Sequence, residues 1–158
     1  MKEGAIIPSK KLENAGYDIY ACLDEDYMIL KPFQTRLVPT GIAWASSPKF
    51  YLQIEERSST GTKGIKKSAG VVDSGYRGEI KVAITNANDF PLVFVKDENV
   101  DLSPLNLPEN TLVYCTKKAI AQGVVHRVEE LDIHEISYEE LASIPSERGD
   151  KGWGSSNK

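Results

Sequence analysis

Apolar and polar residues alternate in short runs along most of this chain. Phe50, Leu52 and Ile54 do so in FYLQIEE, Ile80, Val82 and Ile84 in EIKVAITN, and Ile120, Val124 and Val128 recur around AIAQGVVHRVE. A period of two sends neighbouring side chains to opposite faces of an extended strand, one toward a core and one toward water. Turn-forming residues separate the runs at Pro39-Thr40-Gly41, Ser46-Ser47-Pro48, Ser58 to Gly64 and Asn86 to Pro91. The spacing predicts an all-β fold of short antiparallel strands in a barrel or sandwich. One short helix is predicted in EISYEELASIP. There Ser137 and Glu140 have capping-box spacing, Ile136 and Leu141 form a hydrophobic staple, and Pro145 stops continuation.

Two stretches break the alternation. Leu92 to Asn110, LVFVKDENVDLSPLNLPEN, holds two prolines and a cluster of acids, and reads as a surface loop or as an insert that docks a protein partner. The tail ERGDKGWGSSNK has no apolar periodicity and is expected to move freely when nothing is bound. The resulting division is a β domain over 1–145, with 92–110 as its insert, and an arm over 146–158.

Length and charge narrow the function. A chain of 158 residues suits one domain. Lysine plus arginine number 19 against 23 acids, a net charge of -4, which argues against holding a DNA or RNA backbone, so any phosphate binding has to be local. Cys22 and Cys115 show no CxxC pattern and no histidine pairing, so buried thiols are expected, with neither disulfide nor zinc. MKEGAIIPSKK lacks a signal-peptide apolar stretch, and no eighteen apolar residues run together, so no membrane role is expected and the location reads as cytoplasmic.

Three clusters carry candidate chemistry. GVVDSGYRGEIKV reads as the tight turn of a β-hairpin, where Asp73 is either a turn-closing acceptor or a reactive carboxylate. In EERSSTGTKGI, Arg57 offers a planar fork of donors and Ser58 and Ser59 add hydroxyls. Gly61 and Gly64 let backbone N–H groups approach an anion, so this is a phosphate cradle or a plain serine-rich turn. In RGDKGWGSS, Trp153 has no apolar sequence neighbours to bury it and suits stacking on a planar group, with Arg148, Gly154, Ser155 and Ser156 supplying charge and donors for phosphates.

Together with AGYDIYA, which contains Asp18, and AIAQ, which contains Gln122, these stretches resemble in order the five motifs of the homotrimeric dUTPase family (deoxyuridine 5'-triphosphate nucleotidohydrolases). The resemblance spans most of the chain. It implies a β jelly roll, a homotrimer with sites shared between subunits, and Mg²⁺-assisted hydrolysis of dUTP to dUMP and pyrophosphate. It further implies that Asp73 activates the water that attacks the α-phosphorus and that Tyr76 packs on the deoxyribose. The exposed backbone around Gly70 and Val72 resembles the uracil-binding element, where wrongly paired polar groups can cost up to ~10⁴-fold in discrimination. Asp18 resembles the acid that anchors the metal through water. Arg57, Ser58, Ser59 and Gln122 match phosphate contacts, and Arg148, Trp153, Gly154, Ser155 and Ser156 match the closing arm.

Some positions depart from the family pattern. Glu56 stands where a proline usually precedes the arginine, adding negative charge beside a phosphate site. KKAIAQG replaces GDRIAQL, so Ala119 occupies an arginine position and Lys117 and Lys118 supply charge instead. Two rival readings remain: a dCTP deaminase-like enzyme, which would require a glutamate on the strand after the turn, where Glu79 is the only acid and sits too near the turn, and a dUTP-gated regulator that binds a protein through 92–110.

Overall fold

A computed structural model describes residues 1–151 of the chain, which build an all-β, jelly-roll-like fold. The strands are β1 (Tyr17–Ile19), β2 (Tyr27–Leu30), β3 (Thr35–Pro39), β4 (Phe50–Glu55), β5 (Ile65–Lys67), β6 (Val71–Val72), β7 (Lys81–Asn86), β8 (Leu92–Val95), β9 (Leu112–Cys115) and β10 (Ala121–Arg127). They form three sheets, ordered β1-β10-β4-β6, β2-β8-β9 and β3-β7-β5. The alternation read from the sequence has its cause here. Leu52, Ile54, Ile80, Val82, Ile84 and Ile120 all lie in the main core, while Phe50 and Val128 at the ends of their runs stay exposed.

Several details differ from expectation. GVVDSGYRGEIKV is not a two-stranded hairpin: β7 pairs with β3 on one edge and with β5 on the other, and not with β6. β6 pairs with β4 instead, so residues 73–80 carry the chain from one sheet to another. One pairing, β8 with β9, is parallel. The turn from Ser58 to Gly64 contains a single helical turn, α1 (Ser58–Gly61), in which Arg57 O accepts from Gly61 N at 2.8 Å.

The stretch 92–110 is not loop throughout. β8 is buried on both faces: Leu92 and Phe94 enter the main core, where Phe94 meets the Tyr114 ring edge-on at 5.8 Å. Val93 and Val95 face a second cluster, covered by Val100, Leu102 and Leu107 from the residues that follow. The insert therefore begins after Val95, and its apolar residues shield the outer face of that strand.

The predicted helix is present as α2 (Tyr138–Ser143), with Ser137 Oγ accepting from Glu140 N at 3.0 Å. Ile144 beyond it is extended, as the residue before a proline prefers. The chain divides into a unit spanning Met1–Val128, which holds every strand found among the described residues, and a second beginning at Glu129. The compact β unit thus ends well before position 145, because no sheet pairing in the described residues continues past Arg127. Both cysteines are free and buried. No helix among the described residues is long and apolar enough to cross a membrane.

Candidate active site

β1, β10 and β4 place Asp18, Gln122 and Glu55 in register across three neighbouring strands. Their sequence neighbours Ile19, Ala121 and Ile54 point into the core, so the polar line lies on the opposite face. Arg57, just past the end of β4, reaches this line: its Nε lies 2.9 Å from Asp18 Oδ1. One of its terminal nitrogens, Nη1, donates to Ala119 O and to Ser59 Oγ, each at 3.2 Å. Gln122 Nε2 donates to Glu56 O at 2.8 Å. A Cβ on Gly16 would sit 2.5 Å from Gln122 Oε1, so the glycine of AGYDIYA leaves room for that amide. Residues from three separated motifs thereby converge. Asp18, Arg57 and Ser59 line a cavity of about 250 Å³ together with Tyr20, Lys63, Tyr114, Lys117, Lys118 and Ala119. Ser58 is exposed on α1 and is not among the lining residues.

The two departures in sequence have structural answers. Glu56 turns away toward β5, with Oε2 at 3.2 Å from Lys66 Nζ and Oε1 accepting from Lys67 N at 3.2 Å. Its neighbour Glu55 is matched by Lys67 Nζ at 3.3 Å. Ala119 is buried, and its carbonyl accepts from both Arg57 and the Tyr114 hydroxyl, the latter at 2.8 Å. Burial raises the Tyr114 phenol above its ordinary pKa and outweighs the nearby Arg57 charge. Lys117 pairs with Asp97, and that hydrogen bond holds the Asp97 carboxyl below the usual carboxylate range. Lys63, Tyr20 and Tyr114 were not picked out from the sequence. Lys63 sits inside the motif TGTKGI and was legible as a cation there, whereas Tyr114 reads only as a strand residue.

The Asp73 segment stands elsewhere on the chain. Asp73 and Tyr76 are exposed on the crossover after β6, with Tyr76 N donating to Asp73 O at 3.1 Å. The Tyr76 hydroxyl donates to Glu79 O at 3.1 Å, which orients the ring. Arg77 Nη1 donates to Ser74 O and Tyr76 O at 2.5 and 3.0 Å, so its guanidinium braces the turn. Glu79 Oε1 accepts from Gly41 N at 2.8 Å, a scaffold role at odds with a free catalytic acid. Ahead of the turn, Val72 pairs with Leu52, and a Cβ on Gly70 would lie 2.6 Å from Ile54 O, so only glycine fits that close backbone approach. β1 and β6 are opposite edges of the sheet, three strand spacings apart, which separates the Asp18 and Asp73 segments by roughly 14 Å. In the second unit, Arg148 Nε donates to Lys151 O at 2.6 Å. Trp153, Gly154, Ser155 and Ser156 lie outside the described residues.

A family model described as dUTPase matches residues 2–97. The deoxyuridine 5'-triphosphate nucleotidohydrolase of Mycobacterium marinum is 33% identical over 158 residues, covering 97% of this chain and 88% of that protein. The chain belongs to the dUTPase family. Another relative of the same name, from Leptospira interrogans, is 44% identical over 78 residues, 48% of this chain, and the match spans 53% of that relative's length. Among solved structures, the dUTPase of Staphylococcus bacteriophage 80alpha with dUPNHPP superposes with a TM-score of 0.76 at 23% identity, covering 98% of this chain and 93% of that one. That likeness is one of fold, and it agrees with the jelly-roll-like architecture. Neither the deaminase nor the regulator reading is favoured by these dUTPase likenesses.

Proposed function

We propose that this chain hydrolyses dUTP to dUMP and pyrophosphate, working as a homotrimer whose sites are shared between subunits. The observation that carries the reading is the separation of two chemically complementary groups. A cationic cavity lined by Asp18, Arg57 and Ser59 lies at one edge of the sheet, and Asp73 with Tyr76 lies beyond the other, roughly 14 Å away. A base has to come within hydrogen-bonding reach of the water it activates beside the phosphate. One chain alone does not meet that condition, and a neighbouring copy that brings its β6 edge to this cavity does.

In this reading the Asp73 carboxylate takes the proton from the attacking water, and Tyr76, oriented by Glu79 O, packs against the sugar. The backbone around Gly70 and Val72 pairs with the uracil edge. Arg57, Ser58, Ser59 and Gln122 bind phosphate oxygens, and the arm brings Arg148, Trp153, Gly154, Ser155 and Ser156 over the nucleotide. The donor chemistry at Asp18 fits Mg²⁺, since one carboxylate, half-exposed and with only Oδ1 committed to Arg57, suffices for an ion that keeps its waters and takes further ligands from phosphates. When bound, the ion would neutralise phosphate charge as a Lewis acid. Pyrophosphate release from dUTP, compared with dCTP and dTTP with and without Mg²⁺, tests the reading. Release is expected from dUTP with Mg²⁺ and at most weakly otherwise, whereas ammonia from dCTP would support the deaminase.

A further inference from the structure

On the crossover after β6, the space a side chain at Gly78 would need is taken by the ring of Tyr76. A Cβ there would lie 2.4 Å from the Tyr76 hydroxyl oxygen, 2.6 Å from Cζ and 3.0 Å from Cε2, closer than ordinary contact allows. Backbone freedom does not call for glycine at this position, because Gly78 stands outside the left-handed region. Space does. With no side chain at 78 the ring folds back along the chain, and its hydroxyl donates to Glu79 O at 3.1 Å. The backbone beneath the ring is itself pinned: Glu79 Oε1 accepts from Gly41 N and Ile80 N donates to Ile42 O, each at 2.8 Å, and the Thr40 hydroxyl donates to Ile80 O. Tyr76 is 48% exposed, so the floor at Gly78 and the bond to Glu79 O, more than the core, set where its ring stands.

We propose that Gly78 is a positioning residue for sugar selection: its missing side chain seats the Tyr76 ring for close contact with a deoxyribose. This rests on the dUTP reading and deepens it by naming what sets the preference for deoxyribose over ribose. Ribose adds one hydroxyl, and a hydroxyl pressed against a ring loses its water without gaining a partner. Apolar contact of this kind discriminates by about 10²-fold, and only while the fit is close. A methyl group at 78 lifts the ring from its seat and gives part of that preference up. The group that must yield is the exposed end of a side chain, so the fold is spared.

Pyrophosphate release from dUTP and from UTP, each with Mg²⁺, tests the role on the full chain. In Gly78→Ala the ratio of kcat/KM for dUTP to that for UTP is expected to fall by about tenfold, with the circular dichroism spectrum kept. Gly75→Ala in the same turn, whose Cβ would meet nothing within 4 Å, is expected to keep the wild-type ratio. In a Tyr76→Ala background, adding Gly78→Ala should change the ratio no further, since a glycine that acts through the ring then has nothing to move. A readout independent of turnover is the Tyr76 ring resonance of isotope-labelled protein, identified by its loss in Tyr76→Phe. It is expected to shift in Gly78→Ala. An unmoved ring resonance, an unchanged ratio, loss of the folded spectrum, or an equal fall in Gly75→Ala or in the Tyr76→Ala background overturns the role of Gly78. Wild-type protein that releases no pyrophosphate from dUTP overturns the dUTP reading instead, and the ring resonance still decides whether Gly78 seats Tyr76.

Discussion

Asp73 lies exposed on a crossover, and this exposure separates its chemistry from stability. Asp73→Asn keeps the size of the side chain and its oxygen acceptor but loses the basicity. It is expected to lower kcat by about 10²- to 10⁴-fold, the usual worth of a positioned base, while the melting temperature holds. Turnover at wild-type rate would remove Asp73 from the reaction. Much at this scale was legible in advance. Asp18, Arg57 and Gln122 lie in short motifs, and the structure brings them together through β1, β10 and the end of β4. The fate of Glu56 was not legible, because its partner Lys66 is chosen by the chain's return along β5 rather than by any local spacing. Lys63 was passed over for a related reason: a cation in a turn acquires meaning only when Lys118 and Arg57 line the same cavity.

Secondary-structure elements were legible wherever one face meets water. The alternating runs of β4 and β7 announced themselves, and Ser137 announced the start of α2. β8 did not. Its sequence LVFV is continuously apolar because both faces are covered, and a run without alternation carries no strand period. Placing it inside a loop understated its weight in the fold. Phe94 has no measurable exposure and packs edge-on against Tyr114. Phe94→Ala is therefore expected to cost about 3–5 kcal/mol, a large share of the ~5–15 kcal/mol typical of a whole domain. Urea unfolding followed by tryptophan fluorescence would measure it, and a loss below 1 kcal/mol, far under that range, would contradict the central placement. The presumed hairpin at Asp73 failed for a different reason. Periodicity tells which face of a strand is buried and says nothing about which strand lies alongside.

For the whole molecule, separation of the Asp18 and Asp73 segments across one sheet makes assembly a requirement of the proposed chemistry. A chain ended after Pro145 keeps every strand of the first unit, so it is expected to fold and to sediment as the same oligomer as the full chain. Its turnover is expected to drop on the order of 10²-fold or more, the cost of losing a charge-stabilising donor at the reacting phosphate. Sedimentation velocity together with pyrophosphate release would check both halves, and full activity would refute the role of the arm. Six of the eight acids in residues 129–158 precede position 146, so the arm itself holds three basic side chains, Arg148, Lys151 and Lys158, against two acids, Glu147 and Asp150.

By itself the sequence determined the β class, the capped helix and the identity of the motif residues, since these follow from the period of the side chains and from local spacing. Only the tertiary structure decided that β6 joins β4, that β8 is core, that Glu56 is neutralised and that three lysines meet at one cavity. The physical reason is that strand pairing joins backbone N–H and C=O groups that nearly every residue carries, so partner choice is made by packing across the whole fold.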